Sequence, residues 1–263
     1  MISRREHLAL LREGLARIRG DTYAERRKVG DLLYLPRPEL RSELNRLDEL
    51  LDGDDGAYDE SRSTLVGRQL ERIAFLAFGS LLGACDIRNF TSFGPQYDLL
   101  VDGLDDEDWL TLCATLRMKP NTGTIVVEAK AWHKRVDDNV FSRVCAILQQ
   151  NFAKAGGLGV LMTIHGATGF PTAKQPKKPS LHAARLRQYL FYCRTDVPVV
   201  VMERQHMDLL CEPGGLVKFL LAAIREIELG SGLSLPTAPV THLTEVPDFL
   251  EDLAKLLQGD SQI

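Results

Sequence analysis

The run Leu158-Gly159-Val160-Leu161-Met162-Thr163-Ile164 carries no charged residue. A strand of that kind is at ease only where both of its faces are covered, which is the situation of a strand in a sheet with helices above and below. Val197–Met202 is a second run of the same character, and Thr124–Glu128 is a third, dominated by β-branched residues. Between them lie segments of helical spacing, such as Val140, Val144, Ile147 and Leu148. Helices alternating with apolar strands predict an α/β layered domain.

With 263 residues the chain can bury a large core. No apolar run reaches the about 18 residues that a membrane-spanning helix needs. The start, Met1-Ile2-Ser3-Arg4-Arg5-Glu6-His7, lacks the plan of a signal peptide. The five cysteines are scattered with no C-x-x-C pair, so neither a zinc cage nor a disulfide framework is expected. A reducing cytoplasm is the compartment these features suggest. Net charge is −4, but the charge is segregated. Residues 48–60 hold seven acids and residues 102–108 hold five, each without a base. Residues 166–194 hold six Lys or Arg and no acid. Local charge, rather than the total, decides where a polyanion can sit.

Taken in order, the sequence predicts helices within 3–51, broken at Pro36 and Pro38, and an acidic linker around Asp52–Gly56. A well-buried helix follows over 63–83, capped by Ser63 or Thr64. Strands are expected at Ile87–Phe90 and Tyr97–Val101, then a short helix within 105–118. After Thr124–Glu128, Asn139 is expected to cap a helix from Val140 to about Lys154, ended by Gly156-Gly157. A loop over 165–180, a helix over Leu181–Tyr192, a short strand at Met207–Cys211 and a helix over Leu216–Ile227 complete the core. An extended stretch over 230–242 and a last helix near 246–257 follow. This divides the chain into a helical extension with its linker (1–58), a core (59–230) with an acidic insertion (102–123), and a C-terminal segment (231–263).

Two of the strands carry acids that a buried strand should reject, because an ionised carboxylate inside a protein is costly unless paired or bound to metal. Asp98 precedes Leu99-Leu100-Val101, and Glu128 ends Ile125-Val126-Val127. Glu128 and Lys130 are two residues apart, so on a strand they share a face and Ala129 takes the other. If the two runs are neighbours, two carboxylates and an ammonium surround one point. Hard divalent cations take such oxygens, with the Ala129 carbonyl as a further ligand. Lys130 is then placed to orient an attacking water. His133, Lys134 and Arg135 follow at once and could meet a phosphate. Lys174, Lys177, Lys178, His182, Arg185 and Arg187 form a candidate phosphate-tracking patch.

Gly94-x-x-x-Asp98 with its apolar run, followed by Glu128-Ala129-Lys130 at the end of a strand, resembles the PD-(D/E)xK nuclease superfamily, which includes restriction-endonuclease-like, Mrr-type and phage-defence effector nucleases. The likeness covers residues 65–165. It departs in the proline, displaced to Pro95, and in the long gap from Asp98 to Glu128, read as an inserted helix. The resemblance implies a restriction-endonuclease-like central mixed β-sheet flanked by helices. It implies Mg²⁺ or Mn²⁺, and hydrolysis of phosphodiester bonds. It also makes Glu71, on the preceding helix, a ligand-side acid, and Gln149 a polar residue that faces the site.

The leading reading is therefore a metal-dependent DNA endonuclease in restriction or anti-phage defence, with Asp98, Glu128, Lys130 and Glu71 as its catalytic set. A homodimer or higher oligomer is expected, because cutting a duplex needs two sites. An activating ligand or partner could act through the N-terminal helices or the insertion. An RNase or structure-specific nuclease on the same scaffold is the second reading. A non-catalytic, nuclease-like binding or assembly module is the third.

Overall fold

The strand Thr124–Lys130 (β3) lies at the centre of a five-stranded sheet of order β1-β2-β3-β4-β5. The computed structural model describes residues 30–52, 60–88, 98–104, 106–119, 121–170 and 184–232. The other strands are Asp86–Arg88 (β1), Leu99–Asp102 (β2), Gly156–Thr163 (β4) and Val199–Met202 (β5). The β1–β2 and β2–β3 pairs are antiparallel, and the β3–β4 and β4–β5 pairs are parallel. The chain is thus an α/β protein with a mixed sheet. Every residue of β4 and β5 is buried, as their uncharged sequence requires.

Seven helices lie along the described chain: Glu39–Asp52 (α1), Glu60–Phe78 (α2), Glu107–Thr115 (α3), Asp138–Gln150 (α4), Ala184–Thr195 (α5), Arg204–Met207 (α6) and Gly215–Gly232 (α7). Two apolar layers sandwich the sheet. Ile125, Val127 and Ala129 of β3 point into one with α1, α2 and α7. Val126 points into the other, with Phe141, Val144 and Leu148 of α4. Leu40, Leu44 and Leu47 of α1 are fully buried in the first layer. Tyr34 Oη donates to the Leu210 carbonyl at 2.6 Å. Arg204 grips Asp48 through two hydrogen bonds of 2.7 and 2.6 Å. Residues 33–47 therefore share one core with the sheet, across the boundary expected at residue 58. No described helix is long and apolar enough to cross a membrane.

Several local expectations are corrected. The long helix starts at Glu60, so Ser63 and Thr64 lie inside it and not at its N-cap. Asp137, and not Asn139, caps α4; its carboxylate accepts from the Asn139 and Val140 N–H groups at 3.1 and 3.2 Å. The helix ends at Gln150, and Gly156-Gly157 opens β4 instead of closing the helix. Glycine is needed there for close packing, since a Cβ on Gly156 would stand 2.9 Å from Phe152 Cβ and one on Gly157 would overlap Met118. Met207–Cys211 is not a strand. It is the end of α6 and a 3₁₀ turn over Asp208–Cys211, too short and too local in its hydrogen bonding to join the sheet. The linker after Asp52, the helices before residue 30 and the segment beyond Gly232 lie outside the described residues.

The acidic insertion is placed away from Asp98 and Lys130. It leaves β2 at Asp102 and enters β3 at Thr124, so it sits at the sheet end opposite Asp98 and Lys130. Its described acids have local roles. Asp106 caps α3, accepting from Asp108 and Trp109 N–H groups at 3.0 and 3.3 Å, and Glu107 and Asp108 stand in the first turn, where the helix dipole favours negative charge. Asp102 accepts from the Leu104 N–H at 2.7 Å and from Thr124 Oγ1 at 2.5 Å.

Candidate active site

The register of β2 against β3 decides which acids meet. Leu99 is opposite Val127, so one step further Asp98 faces Glu128. Asp98 itself stands just before β2, at a bend, and takes over from the ladder with its side chain: Oδ2 accepts the Ala129 N–H at 2.6 Å. Glu128 and Lys130 share a face of β3, as the period of two demands, while Ala129 packs in the opposite layer. Lys130 Nζ stands 2.6 Å from Glu128 Oε1, 3.6 Å from Asp98 Oδ2, and donates to the Ala129 carbonyl at 3.3 Å. Both carboxylates and that carbonyl therefore converge on one ammonium.

Glu128 is 1% exposed. Its Oε2 has no hydrogen-bond partner among the described residues. Burial holds its carboxyl above the usual range; Lys130 and Arg143 pull it down, and Asp98 pushes it up again. Glu71, half-buried on α2, is raised chiefly by burial and then by Asp98, against Lys130 and Arg68. The helix before the strands thus brings Glu71 within electrostatic reach of Asp98 and Lys130. Among the described residues no three His, Cys, Asp or Glu side chains form a ready-made metal cage. Two carboxylates and a carbonyl are nonetheless the partial set that Mg²⁺ takes, because it keeps waters and adds substrate oxygens. The unpartnered Oε2 of Glu128 is the acceptor that such a cation would satisfy.

No protein-family model and no curated protein matches this sequence. The site must therefore be read from its own geometry, and that geometry sorts the remaining candidates. His133 and Lys134 are exposed on the turn after β3, at the same sheet end as Lys130. Arg135 is partly buried and donates through Nη2 to the Phe170 carbonyl at 2.7 Å, a structural role. Gln149 is not brought to the site. It borders a small cleft with Lys119, Thr122 and Gly156, at the opposite end of β3. Arg185 is 9% exposed, is paired with Glu226, and stacks on Phe170 and Tyr189, so it cannot track phosphates. Arg187 is held by Asp138 at 2.6 and 2.8 Å, a bidentate pair that keeps the Asp138 carboxyl below its usual range. Lys174, Lys177, Lys178 and His182 lie outside the described residues.

The residue that sequence reasoning missed is Arg143. It is exposed on α4, yet its charge is felt by Glu128. Position along α4 was the usable sign. The helix starts at the site end and rises about 1.5 Å per residue, so a side chain in its second turn stays near β3's end and one near its C-terminus does not.

The two raised carboxyls set a pH dependence. A carboxyl whose folded pKa exceeds its unfolded value of about 4.3 favours the folded state most below that pH, and the contribution is lost as pH rises through the folded value. In EDTA, Glu71→Gln with Glu128→Gln is therefore expected to gain stability over the wild type as pH is raised from about 4 to 7. A divalent cation held by these carboxylates would bind their ionised forms, and Mn²⁺ would then raise the wild-type Tm more at pH 7 than at pH 5 and leave the double variant unmoved. Thermal unfolding at the two pH values checks both; parallel pH profiles for the two proteins would contradict the assignment.

Proposed function

We propose that this chain is a metal-dependent endonuclease of the PD-(D/E)xK type that hydrolyses DNA phosphodiester bonds, in restriction or defence against foreign DNA. One observation carries the reading: a buried Glu128 with one oxygen on Lys130 and the other unpartnered, beside Asp98 and the Ala129 carbonyl. A structural ion pair has no need of a second, unsatisfied carboxylate oxygen at such depth. Asp98, Glu128 and the Ala129 carbonyl would hold Mg²⁺ or Mn²⁺, with Glu71 contacting it directly or through water. When bound, the cation supplies Lewis acidity, making a bound water a better nucleophile and neutralising charge on the phosphate.

The protein's own groups do the rest. Lys130 holds both carboxylates in place, and its third N–H, which meets Asp98 only at 3.6 Å, is the donor it can present to the attacking water. Glu128, raised by burial, ionises most readily when positive charge is close, which couples its proton release to the arrival of cation and substrate. His133 and Lys134, on the turn beyond Lys130, can contact a neighbouring phosphate. Cutting both strands requires two such sites, so a homodimer is part of this reading.

Cleavage of supercoiled plasmid in Mg²⁺, in Mn²⁺ and in EDTA tests it, with single-stranded DNA and RNA as parallel substrates. Cleavage is expected only with metal, and Asp98→Ala should lower it by at least about a hundred-fold, the scale of losing one group that stabilises developing charge. Preference for RNA would transfer the reading to a ribonuclease on this scaffold. Absence of saturable Mn²⁺ binding to the wild type by calorimetry would overturn the metal assignment, whatever the substrate.

A further inference from the structure

A second concavity lies between α5 and α7, bordered by Val201 of β5. It is a cleft of about 430 Å³, within the range of small-molecule sites. Its polar groups have fixed hydrogen-bonding roles. Gln188 is 2% exposed, and its Nε2 donates to the Val199 carbonyl at 2.6 Å. That bond settles which way the amide points. Oε1 is left as a buried acceptor with no partner among the described residues. A buried acceptor of this kind is the position at which a ligand N–H is most strongly selected, since it is satisfied by a donor and by nothing else.

The charges in the cleft narrow the class further. Arg185 is engaged by Glu226 and by the rings of Phe170, at 4.6 Å, and Tyr189, at 4.9 Å. His206 accepts the Glu203 N–H through Nδ1 at 3.2 Å, so its neutral ring carries the proton on Nε2. Burial lowers its pKa and keeps it neutral. The carboxylate of Glu203 then leaves the cleft with net negative charge, which disfavours a phosphate or a carboxylate. Phe170 and Phe219 supply aromatic surface, and the Phe219 ring lies 4.9 Å from the ring of His206. Flat faces, an orphaned acceptor and negative charge together suit a planar, N–H-donating heterocycle that is neutral or cationic.

We propose that this cleft binds a nucleobase, as the free base or the uncharged nucleoside, with a ring or exocyclic N–H donated to Gln188 Oε1 and the ring face against the phenylalanines. The site is separate from the carboxylate centre and does not depend on the nuclease reading.

Calorimetric titration of the full chain with the four common bases, their nucleosides and the 5′-monophosphates tests it. At least one base or nucleoside should bind saturably, in EDTA as in Mg²⁺, and its 5′-monophosphate should bind more weakly. Gln188→Met, which keeps volume but removes the acceptor, should weaken binding by about ten-fold or more. Because that change also removes the bond to Val199, Ala222→Leu serves as the second variant. Ala222 is an exposed position on α7 that borders the cleft, so leucine fills the space without threatening the helix. Binding should be lost in that variant. No binding of any base or nucleoside, tighter binding of the monophosphate, or unchanged affinity in Ala222→Leu would each overturn the proposal.

Discussion

Lys130→Met is expected to remove cleavage and to destabilise the protein at neutral pH by about 3 kcal/mol, the scale on which removing one partner of a buried ion pair leaves the other uncompensated. Glu128 would keep its carboxyl in a nearly sealed environment with the ammonium at 2.6 Å gone. The loss of stability should shrink toward pH 4, where Glu128 is protonated and the lysine has less to neutralise. Adding Glu128→Gln to Lys130→Met should restore most of the stability and none of the activity. That separation distinguishes a lysine used in chemistry from one used only to satisfy a buried acid. Activity is expected to fall by about 10²- to 10⁴-fold, as for loss of a group that positions or transfers a proton. Urea unfolding at pH 4 and 7, with plasmid cleavage at pH 7, reads both effects. Wild-type cleavage by folded Lys130→Met would sink the site.

Trp109→Ala is expected to cost about 3–5 kcal/mol, the range for removing a fully buried large aromatic side chain. Trp109 is 0% exposed, and its Nε1 donates to the Gly123 carbonyl at 2.8 Å. Gly103 is a glycine for this reason, because any Cβ there would overlap the indole. The variant also leaves the Gly123 carbonyl with only the weak Cys113 thiol donor at 3.9 Å, which adds to the cost of the cavity. Cleavage by the folded fraction should be unaffected, since the insertion lies at the other end of the sheet from Lys130. Denaturant unfolding checks the first statement. A loss below about 1 kcal/mol would mean that the insertion is an appendage with no part in the core.

Much of the layered architecture was legible because it rests on local patterns. An uncharged seven-residue run flanked by glycines reads as a doubly covered strand, and β4 is buried along its whole length. Helix spacing placed Val140, Val144, Ile147 and Leu148 inward; the last three are buried, and Val140 is partly buried against the same layer. Boundaries were less legible. Asp137 and Asn139 are both good caps by residue type, and only the path of the chain out of β3 selects between them. Met207–Cys211 carries enough apolar residues for a strand, yet its backbone closes into the end of α6 and a 3₁₀ turn, whose local hydrogen bonds leave it no place in the sheet.

The sequence by itself determined that Glu128 and Lys130 share a face and that Ala129 lies behind them, because strand geometry turns a spacing of two into a common direction whatever the rest of the fold does. Tertiary structure alone decided what meets them. The register of β2 sets Asp98 against Glu128, and the path of α2 brings Glu71 within reach. Long-range pairing also decided what does not: Glu226, 41 residues away, and Asp138, 49 away, occupy Arg185 and Arg187. A charge in a sequence has no partner until the fold assigns one. A run of bases or acids therefore indicates where charge is made, and the packed structure determines how much of it is left to act.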